Sequence, residues 1–125
     1  MGWSYNLRPA DSWLLAGWRN PESKKAREPE IKRASLAAQL YKDIKRLGLK
    51  GELRDQLERA SLSVVCNLAE GSGKRLDKDR RRFFEIALGS VRESQALIEL
   101  LDNPNLVAQA DMLGAHLWKL IRSFK

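Results

Sequence analysis

The sequence predicts an all-α fold, an up-down-up-down antiparallel four-helix bundle, on three observations. Apolar residues recur at spacings of three and four through four successive stretches. The connections between those stretches are short and hold turn-forming residues: Gly48 and Gly51, then Gly71 and Gly73, then Asn103 before Pro104. The composition, 43% hydrophobic and 31% charged in 125 residues, suits a single globular domain rich in charged helices.

Residues 1–29 stand apart from that pattern. They hold Trp3, Tyr5, Trp13, Leu14, Leu15 and Trp18 but also Pro9, Pro21, Pro29 and a polar run, so no period is sustained. They are expected to form a Trp-rich N-terminal arm, with residues 30–125 as the bundle. Asp11 or Ser12 can cap a short helical turn carrying Trp13 to Trp18, which would dock on the body or on a neighbouring subunit. A mostly disordered tail is the other reading, and the sequence leaves both open.

The first helix is expected from Glu30 to Gly48, with Ala34, Ala37, Tyr41 and Ile44 on one stripe and Leu40 and Leu47 beside it. The second starts near Glu52 with Leu53, Leu57, Ala60, Val64 and Leu68 on one face. From Ala60 onward Leu62, Val65, Cys66 and Ala69 add a second apolar stripe, so this helix needs cover on more than one side. Gly71 to Gly73 are expected to end it, with a glycine in the left-handed C-terminal position. Asp77 is expected to cap a third helix over residues 78–101, also apolar on more than one stripe, with Gly89 and Ser90 at a site of close helix approach. Asn103 should cap the fourth helix, with Pro104 at its first position. Its single stripe runs through Leu106, Ala110, Leu113, Leu117, Leu120, Ile121 and Phe124.

Chemistry is sparse in this chain. One cysteine, Cys66, allows no intrachain disulfide, and one histidine, His116, leaves little with which to build a transition-metal site, so no cofactor and no metal are expected. Cys66 is expected to be a small buried hydrophobe, and His116 to be partly buried at the edge of its stripe. Apolar runs are too short to span a membrane and the N-terminus does not read as a secretory signal, which predicts a cytoplasmic protein. Gly71-Ser72-Gly73-Lys74 resembles a phosphate-binding loop only superficially. Leu68 stands at the first glycine position of that motif, Arg75 at its Ser/Thr position, and a helix leads in where a strand is needed. Glu70, Asp77 and Asp79 lie around a charged turn, where capping and pairing with neighbouring cations explains them better than acid-base catalysis. The chain is therefore read as no enzyme.

Charge is the informative feature. The formal net charge is +7, and within residues 74–82 Lys74, Arg75, Lys78, Arg80, Arg81 and Arg82 face only Asp77 and Asp79. Such a cationic turn, repeated around an oligomer, would attract phosphate, and no base-reading motif accompanies it. Backbone contacts with little sequence preference are expected, with Arg59 joining the six cations of the turn.

The segment from Arg59 to Ser94 also carries a family likeness. Arg59-Ala60, Ser63, Asn67 to Gly71, Gly73 to Arg75 and Phe83 to Ser90 resemble the signature of a bacterial four-helix bundle family found as reading frames within intervening sequences of ribosomal RNA genes. Relatives of that family include the accessory variability determinant of diversity-generating retroelements. Leu68, Val65-Cys66 and Phe84 depart from the usual residues without altering a charge or a turn, and the likeness does not reach the arm. The resemblance implies a homopentameric barrel, in which Leu62, Val65, Cys66, Ala69, Phe84 and Leu88 are expected at the oligomer interface. It further implies nucleic acid and a possible reverse transcriptase as partners. The expected function is a non-enzymatic accessory protein that binds RNA or DNA through a basic surface. The alternative is an interaction scaffold whose arm and basic turn dock another protein.

Overall fold

The first helix, α1, spans Glu28–Arg46 and buries Ala34, Ala37, Leu40 and Ile44 along one stripe. The computed structural model describes residues 28–124, so the expected arm lies outside the described residues except for its last two positions, which belong to α1. Three further helices follow: α2 over Gly51–Ser72, α3 over Asp77–Ile98 and α4 over Pro104–Arg122. No strand occurs among the described residues. The helices pack as a four-helix bundle in which α1 touches α2 and α4, and α3 touches α2 and α4, leaving the diagonals apart.

One core joins all four helices. Leu57, Val64 and Leu68 of α2 meet Phe84, Val91 and Ile98 of α3 and Leu113 and Leu117 of α4, each fully enclosed. Burying a side chain of this size contributes about 1.5–3 kcal/mol. Polar contacts spaced along the helices tie α1 to α4 and α2 to α3. On α1 and α4, the Arg33 Nε donates to the His116 carbonyl at 3.0 Å, and ten residues later Asp43 accepts from the Gln109 amide at 3.0 Å. On α2 and α3, Arg59 pairs with Glu93, the hydroxyls of Ser63 and Ser90 lie 2.8 Å apart, and Gly71 lies against Phe84.

The turns follow the expected chemistry in two places and depart from it in two. Gly48 and Gly51 both take positive φ, 65° and 73°, which a side chain would strain. Asn103 caps α4, its side-chain oxygen accepting from the Leu106 amide at 3.1 Å. The α2 terminus differs: Gly71 and Ser72 are still helical, and Gly73 closes the helix in the right-handed region at φ −83°. Gly71 has instead a packing role, because a Cβ there would meet the Phe84 ring at 2.7 Å. Asp77 is the first helical residue of α3, preceded by Leu76 in extended conformation, and makes no cap. Gly89, expected at a close approach, has open space where its Cβ would stand.

Candidate nucleic-acid interface

The turn between α2 and α3 brings the cationic run to one end of the bundle. Four residues, Gly73 to Leu76, connect the two helices, and Leu76 at the apex is 65% exposed. Asp77 and Asp79 fall in the first turn of α3, where carboxylates favour the unpaired amides of a helix start. This explains why acidic residues interrupt the basic run.

The six cations of the turn then divide by partner. Arg80 turns inward: its guanidinium pairs with the buried carboxylate of Glu30 on α1 and with Asp77 at 3.2 Å. It also lies 6.0 Å from the Phe84 ring centroid and 5.3 Å from that of Phe124. With its side chain only 16% exposed, Arg80 is a structural residue tying α1 to α3, and the expectation that it meets phosphate is corrected on that ground. Lys74 pairs with Glu70 at 3.2 Å, and Arg81 reaches Glu85 at 3.7 Å. Arg75, Lys78 and Arg82 are exposed and make no ion pair among the described residues. The Phe83 ring has two cations over it, Lys74 Nζ at 5.3 Å and the Arg82 guanidinium at 5.7 Å, which holds both beside the turn.

Arg59 is not part of this arrangement. It lies thirteen residues before the end of α2, about 20 Å along the helix, and is paired with Glu93 and Gln56. The residues expected at an oligomer interface also divide. Val65 and Phe84 are enclosed by the chain's own core and offer no outer surface, Phe84 because Gly71 admits its ring against α2. Leu62, at 42% exposure, and Cys66 lie outward on α2, with Ala69 and Leu88 half-buried. On the single chain Cys66 is exposed where a buried thiol was expected: its position shares the outward stripe with Leu62, while Val64, Val65 and Leu68 point in. Beside that stripe Ser63, Ser90 and Asn67 satisfy one another, the Asn67 amide donating to the Ser63 carbonyl at 2.9 Å.

A second basic surface is not evident from the sequence. Arg33 on α1 meets the His116 carbonyl of α4 and Lys32 is near enough for its charge to act on His116, while Arg92 on α3 and Lys119 line a trough beside α4 together with Asp111. Arg122 stacks over Trp118 at 4.5 Å. No run of cations announces it, because its members come from three helices; an Arg four residues after a Trp on a helix is the only local signal. Burial, and then the fields of Arg33, Lys32 and Lys119, push the His116 imidazole below its ordinary value of 6.5. Burial alone pulls down the Arg33 guanidinium. Among the described residues no group of three His, Cys, Asp or Glu side chains is placed to hold a metal ion, and no helix is long and apolar enough to cross a membrane.

A bundle of four helices with its cationic turn at one end defines a small all-helical protein with a charged surface. Residues 29–118 match the family described as 23S rRNA-intervening sequence protein, and the chain belongs to that family. No curated protein and no solved structure matches it.

Proposed function

We propose that this protein is a non-enzymatic accessory factor that binds RNA or DNA through its phosphate backbone. The observation that carries the reading is the set Arg75, Lys78 and Arg82, three exposed cations without ion pairs among the described residues, grouped at one turn in a chain of net charge +7. Each phosphate neutralised on duplex DNA adds about 0.9 to the slope of log affinity against log salt. A salt titration with generic RNA and duplex DNA tests it. Replacing all three with alanine should lower the duplex slope by up to about 2.7, since each of the three phosphates then keeps its counterion. Absence of binding at low salt would refute the reading.

The working unit is proposed as a homopentameric barrel of up-down-up-down bundles, in the cytoplasm. Family membership and the outward Leu62, Cys66 and Ile86 support it, since these apolar residues lie exposed on the single chain. A reverse transcriptase partner rests on the resemblance to retroelement accessory proteins, and a reverse transcriptase gene beside this one would favour it. The scaffold alternative is supported by the exposed Met112 and Trp118 of α4. Removing residues 1–29 separates the two, because a scaffold that uses the arm loses its partner while polyanion binding persists.

A further inference from the structure

Trp118 is the only exposed aromatic residue among the described residues, 46% exposed with the Arg122 guanidinium 4.5 Å over its ring. Between α3 and α4 it shares an open trough of about 640 Å³ with Met112, Gly114 and Ala115. Small-ligand sites span about the same range of volume, 300–1,000 Å³. The charged side chains there are Arg92, Lys119 and Asp111, with Arg122 at the ring. His116 also lines the trough; burial, and then Arg33, Lys32 and Lys119, hold it below 6.5, so it is uncharged at neutral pH. Arg92, Lys119 and Arg122 are exposed and make no ion pair among the described residues. Asp111 is engaged otherwise: its carboxylate accepts from the Gln95 amide at 3.0 Å, and Gln95 accepts from Arg92 at 3.3 Å. Cations therefore prevail around Trp118, with one carboxylate seven residues back, about 10 Å along α4. The trough toward α1 is the contrast. Asp43 is its one charged lining residue, and Gln39, Arg46 and Gln109 take up that carboxylate.

We propose that a single strand of RNA or DNA lies in the Trp118 trough, one base stacked on the indole and its phosphates against Lys119, Arg122 and Arg92. The inference rests on the backbone-binding reading above and adds single strands as a preferred form. Three observations select this occupant. An aromatic ring set among unpaired cations is the combination that holds single-stranded nucleic acid, because every base has a face to stack and every linkage a charge to neutralise. Asp111 would repel an acidic peptide as it repels phosphate, but its second carboxylate oxygen can accept from the amino edge of a base. The third observation is continuity with the cationic turn. Phe124, six residues beyond Trp118, lines a hollow with Lys78, Arg82 and the Arg81–Glu85 pair, beside Asp77 and Asp79 at the start of α3. A strand that meets the turn at Lys78 and Arg82 thus finds Trp118 next along the same two helices. A second copy of the chain fits less well, since packing this face against itself would oppose the same cations.

Binding of the full chain to a short oligodeoxycytidylate and to an abasic strand of equal length, which keeps the phosphates and lacks the bases, tests the proposal. The unaltered chain should favour the cytidylate strand, and Trp118→Ala should cut that preference by about fivefold or more, the loss expected for one stacked base. Trp118→Phe should keep most of it. An equal loss on both strands, or an undiminished preference in Trp118→Ala, would overturn the stacking while leaving the backbone reading standing. Absence of binding to either strand at low salt would sink both. A second measurement keeps Trp118 in place. In a chain carrying Trp3→Phe, Trp13→Phe and Trp18→Phe, the cytidylate strand should quench the remaining indole fluorescence and the abasic strand far less; no quenching at saturation would overturn the proposal. An equal response to polyglutamate would assign the trough to an acidic protein segment, and a smaller particle mass for Trp118→Ala would assign it to a second copy of the chain; each would overturn it as well.

Discussion

At the residue scale, Arg80 and Gly71 show how much of a signature motif serves the fold. Arg80 sits in the densest basic run of the chain, yet its guanidinium is held by Glu30 and Asp77 and lies near two aromatic rings. Removing one partner of such a pair leaves a buried charge alone and costs on the order of 3 kcal/mol. Arg80→Ala should therefore lower the denaturation midpoint strongly while leaving the salt slope of polyanion binding unchanged, the opposite of Arg75→Ala. Gly71→Ala forces a methyl group against Phe84 and should destabilise by about 1–3 kcal/mol in chemical denaturation. Gly89→Ala meets nothing and gains helix propensity, so the same measurement on the single chain should show a rise of up to about 1 kcal/mol. His116 adds a pH dependence whose sign follows from its lowered value. The unfolded chain takes up the proton first, so stability is complete above about 6.5 and is lost as pH falls through the folded value. His116→Gln should flatten that acid limb of the denaturation midpoint.

At the element scale, the helices were legible and their ends less so. Periodicity placed all four, because each buries a continuous apolar stripe that a sequence displays directly. Asn103-Pro104 and the Gly48/Gly51 turn were legible for the same reason: their chemistry is local. The α2 terminus was not, since Gly71 answers to Phe84 thirteen residues later and helical hydrogen bonds continue through it. Likewise α3 ends at Ile98 rather than at Leu101, the Leu100 and Leu101 amides turning back to Leu97 and Ile98. Within the candidate interface, exposed charge was legible and its availability was not. Glu30, which occupies Arg80, lies fifty residues away in sequence, and the α4 basic surface is assembled from three helices.

At the scale of the whole molecule, the proposed assembly makes a direct prediction. Light scattering on a size-exclusion peak should return about five times the 14.3 kDa chain, and a stable monomer would contradict the pentamer. Leu62→Glu, on the outward stripe of α2, should lower that mass while the helical circular dichroism persists. The short turn Gly73 to Leu76 has one more consequence. It divides the chain into two helical hairpins, α1 with α2 and α3 with α4, each supplying half of the common core. A single tryptic cut after the exposed Arg75 would leave the most extensive seam, α2 against α3, intact. The nicked protein should then travel as one particle on a native column and separate into two pieces only in denaturant. The same two pieces, made as separate chains, should reassemble on mixing, which makes this turn the natural place to split the protein into a complementing pair.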